Sequence, residues 1–149
     1  MTKMIFVNLP VTDLARSTAF YEALGAVKNP QFSDDTASGM VFSDAIHVML
    51  LTHEKFSGFI DRTIVDAKTA AQAGFCLSAD SRDAVDAFVA AGAAAGGEAD
   101  PNPVQDFGFM YGRGVADPDG HIWETMYMDM AAFEQAASQE QVAPQLQPA

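Results

Sequence analysis

Histidine and cysteine, the side chains that most often bind transition metals or act as nucleophiles, are few in this sequence and scattered along the chain. Its 149 residues include three histidines and one cysteine, Cys76. A lone cysteine excludes an internal disulfide and a cysteine-cluster metal site, and no neighbouring base supports a thiol nucleophile. His47 and His53 lie six residues apart on or beside an extended segment, about 20 Å at about 3.3 Å per residue. These two histidines therefore cannot chelate one ion together.

Glu124 is the carboxylate whose setting departs most from that of a surface acid. It closes the segment 117–124, in which a tight-turn sequence leads into apolar residues. If Glu124 lies among apolar neighbours, burial favours its protonated form, which makes it a candidate general base or a counter-charge for a cationic ligand. The alternative is a carboxylate that is satisfied by Arg113 or a tyrosine hydroxyl and has only a structural role.

Two stretches of the chain carry the same order of predicted elements. Residues 4–11 alternate between apolar and other side chains, which predicts a strand. Thr12 or Asp13 can cap a helix that runs to Leu24, and Gly25 is a natural end for it.

The same order returns in the second half. Residues 74–79 alternate as a strand, Asp80 or Ser81 can cap the next helix, and Gly92 is its predicted end. The apolar landmarks of the two halves have the same spacing: Leu9 and Phe20 in the first, Leu77 and Phe88 in the second. Duplication is the better account of this match. Further strands are predicted over 27–32, 39–42, 46–52, 97–100, 109–116 and 122–128, and a short helix over 130–137.

The net charge and the hydropathy of the chain argue against two classes of partner, nucleic acids and membranes. Eight basic residues stand against 20 acidic ones, a formal charge of −12, and the basic residues are scattered. Such a field repels a phosphate backbone, so we expect no nucleic-acid partner. No apolar run approaches the roughly 18 residues that span a bilayer, and the first residues do not resemble a signal peptide. The sequence therefore predicts a soluble, cytoplasmic protein without a membrane partner.

Three segments together resemble the vicinal oxygen chelate superfamily, the group of glyoxalases, bleomycin-resistance proteins and ring-cleaving dioxygenases. They are LPVTDLARSTAFYEALGA (9–26), LSADSRDAVDAFVAAG (77–92) and VADPDGHIWE (115–124). The resemblance covers about residues 3–130. It implies an α+β fold in which two βαβββ modules form a cup-shaped mixed sheet around a small-molecule site.

The resemblance also implies a division of the chain. One glyoxalase-like domain occupies residues 1–130, with module one at about 3–57, a linker at 58–73 and module two at about 74–130. Residues 131–149 are predicted to form a short helix and a flexible tail.

Metal-using relatives take four ligands from the cup: His or Gln on each module's first strand and Glu near each module's end. Carried over residue by residue, these positions fall on Phe6, on or next to Leu50, on Gly74 and on Glu124. Only Glu124 has a side chain that can bind zinc, nickel, iron or manganese. One carboxylate cannot hold a divalent ion, so we predict no metal and no other cofactor.

The same carry-over gives the predicted site. Glu124 is the candidate catalytic residue, and the candidate ligand-binding residues are Phe6, Asn8, Val48, Leu50, Cys76, Tyr111, Arg113 and Met126. The direction of Tyr111 and Arg113 stays open, because the glycines around them make their strand prone to a bulge. The aromatic and methionine residues can accept a flat or apolar ligand, although an ordinary core has the same composition.

Three functions remain open. The leading one is a metal-free relative that binds a small organic molecule, as drug-sequestering resistance proteins of this fold do. The second is an enzyme, a lyase, isomerase or dioxygenase that resembles lactoylglutathione lyase and completes its site across a dimer. The third is a metal-free catalyst with Glu124 as its base. A homodimer is expected from the resemblance in each case.

Overall fold

The chain forms two mixed sheets that follow each other in sequence. A computed structural model describes residues 2–139, and the predicted flexible tail lies outside them from residue 140 onward. The first half contains β1 (Ile5–Val11), α1 (Leu14–Ala23), β2 (Val27–Asn29), β3 (Ala37–Val41) and β4 (Ile46–Thr52). The second contains β5 (Gly74–Ser78), α3 (Arg82–Ala94), β6 (Glu98–Ala99), β7 (Gln105–Asp106), β8 (Met110–Ala116) and β9 (Ile122–Met128). A short helix α2 (His53–Phe59) and a mostly irregular segment join the halves, and α4 (Met130–Ser138) follows β9.

Both sheets have the same topology. The strand order is β1-β4-β3-β2 in the first and β5-β9-β8-β6 in the second, where β7 also pairs with β8. In each sheet the strand that comes first in the sequence, β1 or β5, pairs in parallel with the strand that comes last, β4 or β9. A parallel pair of this kind needs a connection longer than a hairpin. The two sheets are not joined into a closed barrel. This confirms the predicted α+β class and the repeated βαβββ order.

The helix starts follow the predicted capping chemistry. Asp13 accepts a hydrogen bond from the Arg16 backbone N–H at 3.0 Å and begins α1. The Ser81 hydroxyl accepts one from the Ala84 N–H at 3.0 Å and begins α3. Gly25, with a φ of +104°, follows α1 as predicted.

The predicted end of α3 at Gly92 is wrong. The helix continues to Ala94, and the left-handed turn occurs at Gly96, with a φ of +100°. A Cβ at Gly92 would lie 2.8 Å from the Cγ2 atom of Val115. This glycine therefore permits close packing of α3 on β8, and the sequence does not distinguish that role from helix termination.

One core serves both halves. Trp123 of β9 packs against Tyr21 of α1 and Phe42 beside β3, with ring centroids 5.8 and 5.6 Å apart. Phe75 of β5 also contacts the Trp123 ring at 4.8 Å. The buried side chains Leu9, Val11, Met40, Val48, Leu50 and Val115 belong to the same cluster. We call the face of each sheet that contributes to this core its inner face.

A buried polar contact also joins the halves. The Tyr21 hydroxyl donates to Asp117 Oδ2 at 2.7 Å and accepts from the Trp123 indole N–H at 2.8 Å. Asp117 Oδ1 accepts from the backbone N–H groups of Asp119 and His121. Burial raises the pKa of Asp117, although these hydrogen bonds act in the opposite direction.

The opposite side of each sheet is its outer face. The module-one outer face carries Phe6, Asn8, His47 and Met49, as the pairing of β1 with β4 requires. The module-two outer face carries Gly74, Cys76, Glu124, Met126, Gly112 and Gly114. Within residues 2–139, no helix is long and apolar enough to cross a membrane.

Candidate functional site

Glu124 occupies the middle of the module-two outer face. It pairs with Cys76 on β5 and with Gly114 on β8, so the three residues share that face. A Cβ at Gly114 would lie 3.2 Å from Glu124 Cγ. Gly74 and Gly112 lie on the same face. These three glycines therefore contribute no side chains to the face that carries Glu124.

Asn102 holds the Glu124 side chain. The Asn102 Nδ2 atom donates to Glu124 Oε1 at 3.1 Å, across 22 residues of sequence. Within residues 2–139, no other side chain donates a hydrogen bond to Glu124. The partners predicted from the sequence, Arg113 or a tyrosine, are wrong, and the Asn102 amide takes their place.

Tyr111 and Arg113 point away from Glu124, because Gly112 and Gly114 occupy the outer-face positions of β8. Arg113 forms ion pairs with Asp86 at 2.9 Å and Asp100 at 2.7 Å. The Tyr111 hydroxyl donates to Asp86 at 2.6 Å. These two residues therefore connect α3 and the loop after β6 to strand β8. They do not lie beside Glu124, where they were predicted from the sequence.

Val48 and Leu50 are also placed differently from the prediction. Both are fully buried in the shared core, on the face opposite to Phe6. Because side chains alternate along a strand, Met49 is the β4 residue that shares the outer face with Phe6 and Asn8. The carry-over gave this position as on or next to Leu50, and its neighbour Met49 is the residue on the face of Phe6.

The other predicted residues divide into two groups. Cys76, Glu124 and Met126 lie together on the module-two outer face. Phe6 and Asn8 lie on the module-one outer face, where the Phe6 ring stacks on His47 with centroids 4.6 Å apart. The hydrogen bonds and ring contacts of Phe6 and Glu124 stay within their own halves.

Cys76 is exposed. Partial desolvation raises the pKa of its thiol, and the negative charge of Glu124 adds to the increase. A thiol with a raised pKa is a weak nucleophile near neutral pH. The structure therefore does not support covalent catalysis by Cys76.

An apolar cluster borders this face. Met126 was assigned to the site from the sequence, but Phe109 and α4 were not associated with it. Phe133 of α4 packs on Phe109 with ring centroids 5.4 Å apart. Met110, Met126 and Met128 belong to the same small cluster. The start of α4 is fixed by Asp129, which accepts from the Ala132 N–H at 3.1 Å. The predicted short helix thus belongs to the cluster that contains Met126, a residue on the same face as Glu124.

The residues present do not form a metal ligand set. Phe6, Met49 and Gly74 offer no oxygen or nitrogen side-chain ligand at the family's metal positions. Within residues 2–139, no three His, Cys, Asp or Glu side chains lie together in a way that could hold a metal ion. Glu124 alone does not provide the donors that a divalent ion requires.

The comparison with protein families agrees with this architecture. The model of the Glyoxalase/Bleomycin resistance protein/Dioxygenase superfamily matches residues 3–125. The match covers most of the chain, so the protein belongs to this superfamily and the resemblance is confirmed. The sequence has no match among curated proteins.

Solved structures extend the comparison. A hypothetical protein, SA1046 from S. aureus, is 25% identical with a TM-score of 0.70, over 85% of this chain and 94% of that one. A glyoxalase/bleomycin resistance protein from Albidiferax ferrireducens T118 is 26% identical with a TM-score of 0.61, over 82% and 95%. The fosfomycin resistance protein FosX from Listeria monocytogenes is 18% identical with a TM-score of 0.60, over 85% and 93%, a likeness of fold alone.

Proposed function

We propose that the protein is a metal-free, ligand-binding member of this superfamily that holds a small organic cation at the module-two outer face. The setting of Glu124 carries the proposal. Its carboxylate lies beside the Asn102 amide, so a charged oxygen and an amide oxygen can both accept hydrogen bonds from one donor-rich group. The formal charge of −12 raises the local concentration of cations.

The surroundings of Glu124 support a ligand that also has an apolar part. Gly112 and Gly114, which have no side chains, adjoin Met126 and the apolar cluster that includes α4. Methionine side chains adapt to the shape of an apolar group. A molecule with one cationic end and a ring or short aliphatic body therefore matches this face.

The proposal can be tested by calorimetric titration with benzylammonium, whose cationic end carries three N–H donors. Glu124→Gln keeps the side-chain shape and removes the charge, so we expect affinity to fall at least about tenfold, as for a lost charge-assisted contact. Glu22→Gln removes an exposed carboxylate from α1 and should leave affinity unchanged. Equal affinity in wild type and Glu124→Gln would contradict the assignment.

The absence of a functional metal is part of the proposal. Elemental analysis of gently purified protein should find no stoichiometric divalent ion. One ion per chain that is lost in Glu124→Ala would instead support the metal-dependent lyase, isomerase or dioxygenase alternative.

The same carboxylate supports a second candidate, metal-free catalysis with Glu124 as general base. The hydrogen bond from Asn102 orients Glu124 and leaves Oε2 for a substrate proton. In that case Glu124→Gln should abolish turnover and retain most ligand binding. Unchanged turnover would exclude this role.

We also propose that the protein works as a homodimer in the cytoplasm. Met4, Ile5 and Phe6 are 50%, 56% and 49% exposed, and β1 is an edge strand. An apolar edge strand of this kind is normally covered, and a second copy is the occupant that the resemblance implies. Such a dimer could also bring Phe6 of one copy to Glu124 of the other.

A further inference from the structure

A separate cavity lies between the two halves of the chain. It has a volume of about 300 Å³ and forms where the end of β1, the starts of β5 and β9 and the connecting segment 60–73 meet. Its lining includes Asn8, Phe56, Ile60, Val65, Phe75 and Ile122. Glu124 does not line it, so this cavity is distinct from the site proposed above.

The lining is mainly apolar and partly open to water. Ile60 and Val65 remain 39% and 55% exposed. An apolar ligand body would cover these side chains, and removing apolar surface from water is favourable. A cavity of this size holds about ten water volumes at roughly 30 Å³ each, which matches a molecule of about ten non-hydrogen atoms.

One wall of the cavity is held in place by a glycine. A Cβ at Gly120 would lie 2.6 Å from the Lys68 backbone N and 2.7 Å from the Ala67 carbonyl carbon. The segment therefore rests directly on the turn before β9. The Thr69 and Ala70 N–H groups also donate to the Asp66 carbonyl, at 3.1 and 3.0 Å. These contacts give the wall a defined shape without a ligand.

Basic side chains line this cavity and the pocket beside it, together with the carboxylates of Asp66 and Asp119. Arg62 lines the cavity itself. Arg16, Lys68 and His53 line an adjoining pocket, which shares the lining residues Pro10, Ile64, Val65, Ala67 and His121. Three of the chain's eight Lys and Arg residues thus lie around one feature. Within residues 2–139, Arg62 and Lys68 form no ion pair.

The carboxylates of the adjoining pocket are already engaged. Asp66 Oδ1 accepts the Lys68 backbone N–H at 2.9 Å. Asp119 Oδ1 accepts the Thr12 hydroxyl at 2.6 Å and the Thr12 N–H at 3.1 Å. Arg62 and Lys68 are consequently the cations left to meet an anion.

We propose that this cavity binds a small carboxylic acid with an aromatic or branched aliphatic body. The body lies against Ile60, Val65 and Phe75, and the carboxylate is held by Arg62 and Lys68. A bidentate guanidinium contact is the geometry that favours a carboxylate over a neutral group. The site differs in ligand charge from the one around Glu124.

The direct test compares 3-phenylpropionate with 3-phenylpropionamide, two probes of the same shape, by calorimetric titration of the full chain. We expect the acid to bind at least about tenfold more tightly, because a hydrogen bond between charged groups is worth about that factor. Equal affinities, or no saturable binding of either probe up to about 10 mM, would overturn the proposal. This comparison uses wild-type protein, so it does not depend on how a variant folds.

Variants then locate the site. Arg62→Gln with Lys68→Gln should reduce the affinity for the acid to that for the amide, whereas Lys28→Gln on exposed β2 should change neither. Ala71→Phe fills the cavity and should abolish binding of both probes, whereas Ala90→Phe on the exposed side of α3 should not. Retained binding in Ala71→Phe would contradict the location. Glu124→Gln should leave this binding unchanged, so failure here is separable from failure at the Glu124 site.

Discussion

The two outer faces have the same strand topology and opposite chemical character. The module-one outer face presents an aromatic stack of Phe6 on His47, next to the exposed apolar residues Met4 and Ile5. The module-two outer face has the carboxylate of Glu124, the thiol of Cys76 and three glycines, which have no side chains. Phe6 and Gly74 illustrate the contrast, because they are equivalent first-strand positions and only one of them has a side chain.

We infer from this difference that the duplicated halves have different roles, as proposed above. Module two retains the groups that can recognise a polar ligand, with α4 adding an apolar wall. Module one offers a surface that suits contact with another chain. Variants can test this division. The first concerns Asp117, whose buried carboxylate joins the two halves.

Loss of Asp117 should have the largest effect, because its buried carboxylate joins α1 to the turn before β9. Asp117→Ala leaves the Tyr21 hydroxyl and two backbone N–H groups without their acceptor. Each unsatisfied buried donor costs about 1–3 kcal/mol, so we expect about 3–5 kcal/mol of lost unfolding free energy in urea titrations. Asp44→Ala, at an exposed turn, is the control and should change little.

The pH dependence of this contact has a defined sign. Burial raises the folded-state pKa of Asp117, so the native state binds this proton more tightly than the unfolded chain. The carboxyl group therefore favours folding most at low pH and loses that contribution as pH rises through the raised pKa. The stability advantage of wild type over Asp117→Asn should be greater near pH 4.5 than near pH 7.5. The opposite trend would contradict the raised pKa.

Substitutions at two glycines, one on each outer face, should have effects of intermediate size. On the module-one outer face, a Cβ at Gly39 would lie 2.9 Å from Phe32 Cβ, so Gly39→Ala should cost about 1–3 kcal/mol of stability. At Gly114 the contact is with the flexible Glu124 side chain, so Gly114→Ala should cost less. Its effect should instead be a severalfold loss of benzylammonium affinity. If Gly114→Ala affects stability and not affinity, the space around Glu124 is structural.

Phe6→Ser tests whether the module-one outer face forms the homodimer interface. Removing a half-exposed aromatic ring from an interface should raise the dimer dissociation constant at least about tenfold, measured by light scattering across protein concentrations. Val27→Ser removes another exposed apolar residue, on β2, and should have no such effect. A wild-type protein that is monomeric at all concentrations would refute the dimer.

The smallest effect concerns Cys76, the only cysteine. Burial and the charge of Glu124 raise its pKa, so iodoacetamide should modify it more slowly near pH 8 than it modifies free cysteine. Glu124→Gln removes one of these causes and should increase the rate by about threefold. Mass spectrometry of the single adduct measures the rate. An unchanged rate would show that Glu124 does not influence the thiol.

Local signals in the sequence were sufficient for most elements of the fold. Strand alternation and capping residues located β1, α1, β5 and α3, because each depends on neighbours in the chain. Gly92 was misinterpreted because its packing partner, Val115, is distant in sequence. The candidate site was predicted only in part for the same reason. Glu124 was identified from its motif, whereas its hydrogen-bond partner Asn102 is distant in sequence and lies in a loop without a recognisable pattern.

The faces of the strands were harder to predict than the strands themselves. The continuous apolar run of β4 gives no alternation from which to choose a face, so Val48 and Leu50 were assigned to the wrong one. In β8 the glycines suggested a bulge, but the strand is regular and simply places Tyr111 and Arg113 opposite Glu124. The cavity between the halves was not predicted, because it depends on how segment 60–73 packs.

The shared packing around Trp123 has a consequence for how the chain folds. Its indole ring contacts aromatic residues from both halves, so neither repeat encloses a complete core alone. A duplicated sequence often suggests two units that could fold in turn. Here the first repeat would expose Tyr21 and Phe42 until the last strand arrives, and the two repeats should fold and unfold as one cooperative unit.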